Sequence, residues 1–320
     1  MILINSKPVT LPSLRRFFFV LAFAWVMMLA WWNRAVVMDD PWITFRYAEN
    51  LIAGEGLVFN RGERLEGFSN PTWVLVSAIG RVLHLEPLLF TRIVNVVLAS
   101  AILWFLIAGW GGKIPGSRMA GLMLAGSFPF ALAVVGGLET VLHGGLILML
   151  AVGLAELSVE ARRGPLLAAG GALALLVLSR PEGFLWFGLP FAALALAPQE
   201  RKIRTSLIAV LLFGVIVLGA LLTARWAYFG ALLPNTVMAK TGGGVFETVG
   251  RGGRYFTDYF GSTASLVLFL VYAGLRRVGG EIASASESLS PQALLIAVGS
   301  AAGAMQLAFA LAVGGDWMPG

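Results

Sequence analysis

Apolar residues run through this chain in long blocks, without the alternation of a half-buried strand or the three-to-four spacing of a surface helix. The blocks fall at 17–37, 88–110, 118–135, 140–158, 164–179, 182–198, 204–226, 262–275 and 291–313. Runs of about 18 or more apolar residues are long enough to cross a bilayer as helices. The pattern therefore predicts an all-α, polytopic helical bundle with about nine membrane spans. Three blocks, 164–179, 182–198 and 262–275, are short for a hydrocarbon core of about 30 Å, and such spans thin the membrane or are shielded by neighbouring helices. One further run, 72–85, is apolar but only about 14 residues long and contains Arg81 and His84. Runs of that length are commonly interfacial or re-entrant, and the segment reads as such a helix within a long 38–87 connection.

The charges between the blocks orient the chain. Lys7, Arg15 and Arg16 precede the first block; Lys113 and Arg118 lie between the second and third, and Arg162 and Arg163 between the fourth and fifth. Arg201, Lys202 and Arg204 precede the seventh block, and Arg276 and Arg277 follow the eighth. With a cytoplasmic N-terminus, counting spans puts all of these clusters on the cytoplasmic side, as the positive-inside rule requires. The other connections (38–87, 136–139, 180–181, 227–261 and the end from Gly314) fall outside and hold acids, Asn, Pro and Gly. The first block is too long for a cleaved signal peptide, and Trp31, Trp32 and Asn33 towards its end read as interfacial anchors, so it reads as an uncleaved signal anchor with the N-terminus in the cytoplasm.

Composition agrees and excludes some functions. Hydrophobic residues make up 58% and charged ones 12%, against about a quarter charged in soluble domains; mean hydropathy is +0.84. The net charge of +6 sits in short clusters between spans with no basic, aromatic-interleaved stripe, so nucleic acid is not a partner. The chain has no cysteine, which removes disulfides, thiolate metal sites and cysteine nucleophiles. No Asp, Glu or Lys falls near the middle of a predicted span, which argues against an ion-coupled carrier.

Candidate chemistry lies in the outside connections. Asp39 and Asp40 stand where the first span emerges; a carboxylate there is able to take a proton from a sugar hydroxyl or to hold a divalent cation. Asp40 before Pro41 also reads as an N-cap, opening a helix to about Ala53 that Gly54 closes. In that helix Trp42, Phe45, Leu51 and Ile52 predict an apolar face and Thr44, Arg46 and Glu49 a polar one, the pattern of a helix lying on a membrane surface. Arg46 can fork onto a lipid phosphate, snorkel, or pair with Glu49 or Asn50. Asn60–Gly62 reads as a tight turn, and Asn70-Pro71 as a helix start. Glu139 opens the fourth span, where the helix dipole favours an acid, with His143 one turn on. Arg180 and Glu182 flank a tight turn and must pair or face water at that depth. Asn235, Lys240 and Asp316 lie in the last two outside segments.

Taken in order, DDPWITFRYAENLIAGEGLVFNRGERLEGFSNPTW, GGLET, SRPEG, FGALLPNTVMAK and GGDWMPG resemble the GT-C superfamily of membrane glycosyltransferases, in the branch that contains the mycobacterial terminal arabinofuranosyltransferase. The resemblance runs from about residue 15 to the end and implies a GT-C-type bundle over 1–320. It further implies transfer of a sugar from a polyprenyl-phosphate donor to an extracytoplasmic glycan or lipid acceptor, usually with inversion. An essential aspartate of the first outside loop corresponds by position to Asp39 or Asp40, and a second acid to Glu139. Arg46, Arg180 and Lys240 are then placed near the donor phosphate, with Asn235 and Asp316 as further substrate-binding residues and a divalent cation at Asp39 and Asp40. Members of the superfamily continue past GGDWMPG, so the resemblance implies that their C-terminal region is absent here. The competing readings are a transporter or flippase of lipid-linked substrates and a non-catalytic remnant.

Overall fold

The structure is a computed structural model and describes residues 11–36, 38–109, 117–196 and 200–236. The expected spans 262–275 and 291–313 lie outside the described residues, as do Lys240 and Asp316. The described residues are helical, with no strand among them. The chain forms two compact units: Met1–Ala53 with Trp73–Gly145, and Gly54–Thr72 with Leu146–Gly320.

In the first unit, α1 (Leu11–Trp32) is followed by two shorter helices, α2 (Asp40–Ile52) and α3 (Pro71–Val82), and then α4 (Pro87–Ile107). Next come α5 (Ser117–Ala125), α6 (Phe128–Val135) and the opening turns of α7 (Thr140–Leu157). Buried Ala22, Val26 and Ala30 of α1 and Ala99, Leu103 and Ile107 of α4 recur every fourth residue and form the core with Ala125, Val134, Val135 and Val141. Small side chains at the contact let helices approach without any hydrophobic push from water, as in membrane packing. Gly121 of α5 shows how close: a Cβ there would sit 2.6 Å from Ile107 Cγ1. The outer faces are apolar, with Phe17, Val20, Leu21, Trp25 and Met28 of α1 exposed, the surface expected against lipid.

α1 and α4 run antiparallel. Phe19 near the start of α1 meets Trp104 near the end of α4 edge-on at 5.1 Å, and at the other end Arg92 Nη2 donates to Arg34 O at 2.9 Å. The 38–87 connection therefore leaves and returns at one end of the helix pair. Its α3, 12 residues long, reaches only about 18 Å at 1.5 Å per residue and does not cross a bilayer, in agreement with the sequence reading.

Among the described residues, four helices are long and apolar enough to span: Leu14–Trp32, Pro87–Ile107, Thr140–Leu157 and Arg201–Phe229. The expected span at 118–135 is broken into α5 and α6, bent by 65°. Ser127 caps α6, accepting from Phe130 N at 3.4 Å, and Pro129 in its first turn has no N–H with which to continue α5. The Gly126-Ser127-Phe128-Pro129 sequence carries that break, though mean hydropathy hides it.

The second unit contains the rest of α7, then α8 (Arg163–Ser179), a 3-10 segment Pro181–Phe187, α9 (Gly188–Leu196) and α10 (Arg201–Phe229). The block expected at 182–198 thus begins as 3-10 helix and becomes α-helix only at Gly188. Pro181 starts the new helix, and Gly183 lets it turn tightly against α8. A Cβ on Gly183 would collide with Leu176 O and lie 2.7 Å from Val177 Cα. A Cβ on Gly214 of α10 would likewise stand 2.7 Å from Leu173 Cδ2 and 2.8 Å from Phe187 Cε1.

Two glycine substitutions separate space from propensity. Gly183→Ala should lower stability by about 1–3 kcal/mol, because the obstacle is backbone rather than a mobile side chain. Gly171→Ala in α8 meets nothing within 4 Å and should stabilise by about 0.5–1 kcal/mol. Thermal unfolding in detergent, followed by circular dichroism, gives both signs.

Candidate active site

The expected catalytic pair lies at the end of the first unit where α2 begins. Asp39, not Asp40, occupies the N-cap position, with φ −82° and ψ −32° and no side-chain cap hydrogen bond. Asp40 is the first helical residue, with Pro41 following it. The one-residue shift arises because Pro41 tolerates the second helical position as readily as the first, its missing N–H being unbonded at either. Both carboxylates are exposed, at the positive end of the α2 dipole.

α2 also faces differently from its sequence pattern. It buries Pro41, Thr44, Phe45, Tyr47, Ala48 and Asn50, while Trp42 and Ile52 are about half exposed. Thr44, expected on the polar face, is 2% exposed, and it, Tyr47 and Asn50 each have an interaction partner. The helix is thus seated in the protein by one face, and Asp39, Trp42, Arg46 and Glu49 follow one another along its outer side. Arg46 Nη1 lies 3.9 Å from Glu49 Oε2, one of the pairings expected for it. Arg81 Nη2 of α3 reaches Glu49 Oε1 at 3.2 Å, so two arginines share one acid.

The GGLET turn is pressed against the start of α2. Gly137 has φ +80°, and a Cβ on it would stand 2.8 Å from Leu88 Cδ1 and 3.5 Å from Pro41 Cβ; one on Gly136 would be 3.7 Å from Met38 Sδ. Side chains collect the carbonyls of this turn. Arg92 Nε donates to Val135 O at 2.7 Å, Trp73 Nε1 to Gly137 O at 2.7 Å, and Asn95 Nδ2 to Leu138 O at 2.9 Å and Ala133 O at 3.3 Å. Glu139 follows directly and is 3% exposed, with His143 also buried one turn on. The structure therefore brings the segment of Glu139 to the segment of Asp39 and Asp40 but buries the carboxylate itself. Arg92, Trp73 and Asn95 hold this end together. An arginine inside a predicted span that must find carbonyls was the signal for Arg92.

The second unit holds Arg180 and Asn235. Arg180 Nε lies 2.8 Å from Glu182 Oε1, and Glu182 is buried, so the expected pairing across the turn is present. The Asn235 side chain is exposed, and its backbone N donates to Glu66 O at 3.0 Å. Glu66 is the acid that the sequence reading did not single out. Arg225 Nε of α10 donates to Glu66 Oε1 at 3.0 Å, and the two residues are 6% and 4% exposed respectively. Burial raises the Glu66 carboxyl above its ordinary value, and the Arg225 charge and hydrogen bond only partly oppose this. Around the pair, Leu57 N donates to Tyr228 Oη at 3.0 Å, Arg64 lies over the Tyr228 ring at 5.1 Å, and Phe68 meets Phe229 at 6.1 Å. Gly56, at φ +86°, admits the Tyr228 hydroxyl, which an added Cβ would meet at 2.5 Å. Residues 54–70 are thereby clasped to the end of α10. An arginine at the edge of the expected 204–226 span called for such a partner.

Among the described residues no group of three or more His, Asp or Glu side chains is gathered to hold a metal ion. Asp39 and Asp40 together provide two carboxylates, hard oxygen ligands of the kind a divalent cation takes.

Comparison with known proteins gives two similar sequences. The chain is 28% identical over 329 aligned residues to the terminal beta-(1->2)-arabinofuranosyltransferase of Mycobacterium tuberculosis, a match covering 90% of this chain and 50% of the relative. It is 29% identical over 260 aligned residues to the protein of the same name from Corynebacterium glutamicum, covering 72% of this chain and 37% of the relative. The chain thus spans half the length of the first relative and less of the second. The similarity bears out the arabinofuranosyltransferase branch read from the motifs. No protein-family model and no solved structure matches.

The Glu66–Arg225 pair makes two measurable claims. Removing one partner leaves the other charge buried and alone, so Arg225→Met should cost about 3–5 kcal/mol, and Glu66→Leu/Arg225→Met should recover most of that loss. Because the folded state holds the Glu66 proton more tightly than the unfolded chain, its stabilising contribution is complete below about pH 4.5 and is lost as pH rises through the raised value. The unfolding temperature of the wild type relative to Glu66→Gln should therefore fall on going from pH 4 to pH 8.

Proposed function

We propose that this chain is a GT-C-type glycosyltransferase of a bacterial inner membrane that transfers a sugar from a polyprenyl phosphate to a cell-envelope glycan or lipid acceptor, with inversion. The observation that carries the reading is the adjacent, exposed Asp39 and Asp40 at the start of α2, beside a buried scaffold that joins them to the GGLET turn. Similarity to two arabinofuranosyltransferases supports the reaction class and makes arabinofuranose the first sugar to test. With the N-terminus cytoplasmic, this end of α1 and α4 is extracytoplasmic, where a lipid-borne donor arrives in the membrane plane.

Asp40, or Asp39 beside it, accepts the proton of the acceptor hydroxyl as that oxygen bonds to the anomeric carbon. The bond from the anomeric carbon to the phosphate oxygen breaks, and polyprenyl phosphate leaves with the electron pair. Arg46, Arg180 and Lys240 are the cations for the phosphate, with Asn235 and Asp316 as substrate contacts. Glu139, buried directly after the GGLET turn, is the second acid of the site. Asp39 and Asp40 would hold a divalent cation, which would supply charge neutralisation of the leaving group.

Membranes containing the chain, and a version extended to the length of its relatives, should transfer label from a radiolabelled polyprenyl-phospho-arabinose, and chelator should reduce the transfer. Asp40→Asn should lower turnover by about 10²–10⁴-fold, the usual share of a general base, with membrane insertion unchanged. Wild-type-like turnover by both Asp39→Asn and Asp40→Asn would sink the assignment. Translocation of the lipid without a new glycosidic bond would favour the transporter reading.

A further inference from the structure

We propose that the end of the first unit remote from Asp39 and Asp40 binds the phosphate of an anionic phospholipid. A cleft of about 160 Å³ opens there, lined by Arg15 and Arg16 of α1 and by Trp104 and Ala108 at the end of α4. A single water needs only about 10–15 Å³ of such space, so the cleft has room for a phosphate group with its hydration.

Its charge is unbalanced from within. Residues 1–38 and 87–138 contain no Asp or Glu, so α1, α4, α5 and α6 bring no carboxylate to this end. Arg15 is half-buried, and its Nε is enclosed without a hydrogen-bond partner. An enclosed guanidinium N–H without an acceptor is costly, and a phosphate oxygen satisfies it with the bidentate geometry that guanidinium favours. Adjacent helix positions point about 100° apart, yet Arg15 and Arg16 both line this one cleft. The positive-inside rule asks only for exposed charge near the membrane; it does not ask for an enclosed Nε.

Trp104 identifies the source of the phosphate. It is 44% exposed, stands edge-on to Phe19 at 5.1 Å, and presents the amphipathic ring that settles at headgroup level. Directly after the two arginines along α1, the exposed Phe17, Phe18 and Leu21 offer an acyl chain a path away from the cleft. Phosphate, aromatic edge and apolar wall in that order fit a glycerophospholipid such as phosphatidylglycerol rather than a free ion. Basic pockets between spanning helices hold anionic headgroups in this way.

The test uses the whole chain, purified in mixed micelles of phosphatidylglycerol and phosphatidylcholine, with the retained lipid quantified. Phosphatidylglycerol should be enriched about tenfold over phosphatidylcholine, the ratio that 1.4 kcal/mol of preference produces. Arg15→Gln/Arg16→Gln should bring the ratio close to one. Arg15→Lys/Arg16→Lys, which keeps charge and fold but loses the fork, should fall between. Arg162→Gln, at an exposed arginine paired with Glu160 at 2.6 Å, should leave the ratio unchanged. Absence of enrichment in the wild type, or enrichment that survives in the glutamine variant, overturns the proposal. Displacement by millimolar inorganic phosphate as effective as by phosphatidylglycerol assigns the cleft to a free anion and overturns the lipid assignment.

Discussion

A buried backbone carbonyl without a donor is costly, because no water reaches it to replace the missing bond. The first unit meets this constraint where α6 stops and α7 begins. Arg92, Asn95 and Trp73 together supply donors to the carbonyls of Ala133, Val135, Gly137 and Leu138, and Arg92 adds that of Arg34. Because these donors come from α3 and α4, the same bonds also fix the end of α1, the start of α4 and the α6–α7 turn to one another. The position of Asp39 and Asp40 follows, since Met38 and Pro41 pack on the two glycines of that turn.

This arrangement explains which parts were legible in the sequence. The spans at α1, α4, α7 and α10 come from long apolar runs, a signal that survives averaging, and the short α3 comes from its length together with Arg81 and His84. The break between α5 and α6 was missed because the run stays apolar on average across it, and only the Ser-Phe-Pro order marks the new helix. The N-cap at Asp39 rather than Asp40 turns on one residue of register, which two adjacent acids before a proline do not resolve. The polar face read for α2 holds Arg46 and Glu49 but not Thr44, which finds a partner in the interior.

The clasp in the second unit was harder to read. Glu66 and Arg225 are separated by 159 residues, and neither stands in a motif whose spacing points to the other. Arg225 alone was visible, as an arginine at the edge of an apolar block. Tyr228 and Gly56 complete a contact that depends on a left-handed glycine, which marks a turn in the sequence but does not say what approaches it. Of the site residues inferred from the motifs, Asp39, Asp40, Arg46 and Glu139 lie together in the first unit, and Arg180 and Asn235 lie in the second.

α10 carries one more consequence. Residues 205–224, between Arg204 and Arg225, are uncharged throughout, and a helix of that length covers about 30 Å, the thickness of a typical hydrocarbon layer. The two arginines bound a stretch long enough to cross such a layer, and the one that holds Glu66 stands at its end. Hydrophobic mismatch costs a fraction of a kcal/mol per Å when a helix end is free. Here one end is fastened through a buried carboxylate to the 54–70 loop, so a thicker membrane must tilt the helix less, draw that loop inward with it, or open the clasp. The Glu66–Arg225 bond thereby ties the 54–70 loop to the length of the uncharged stretch in α10.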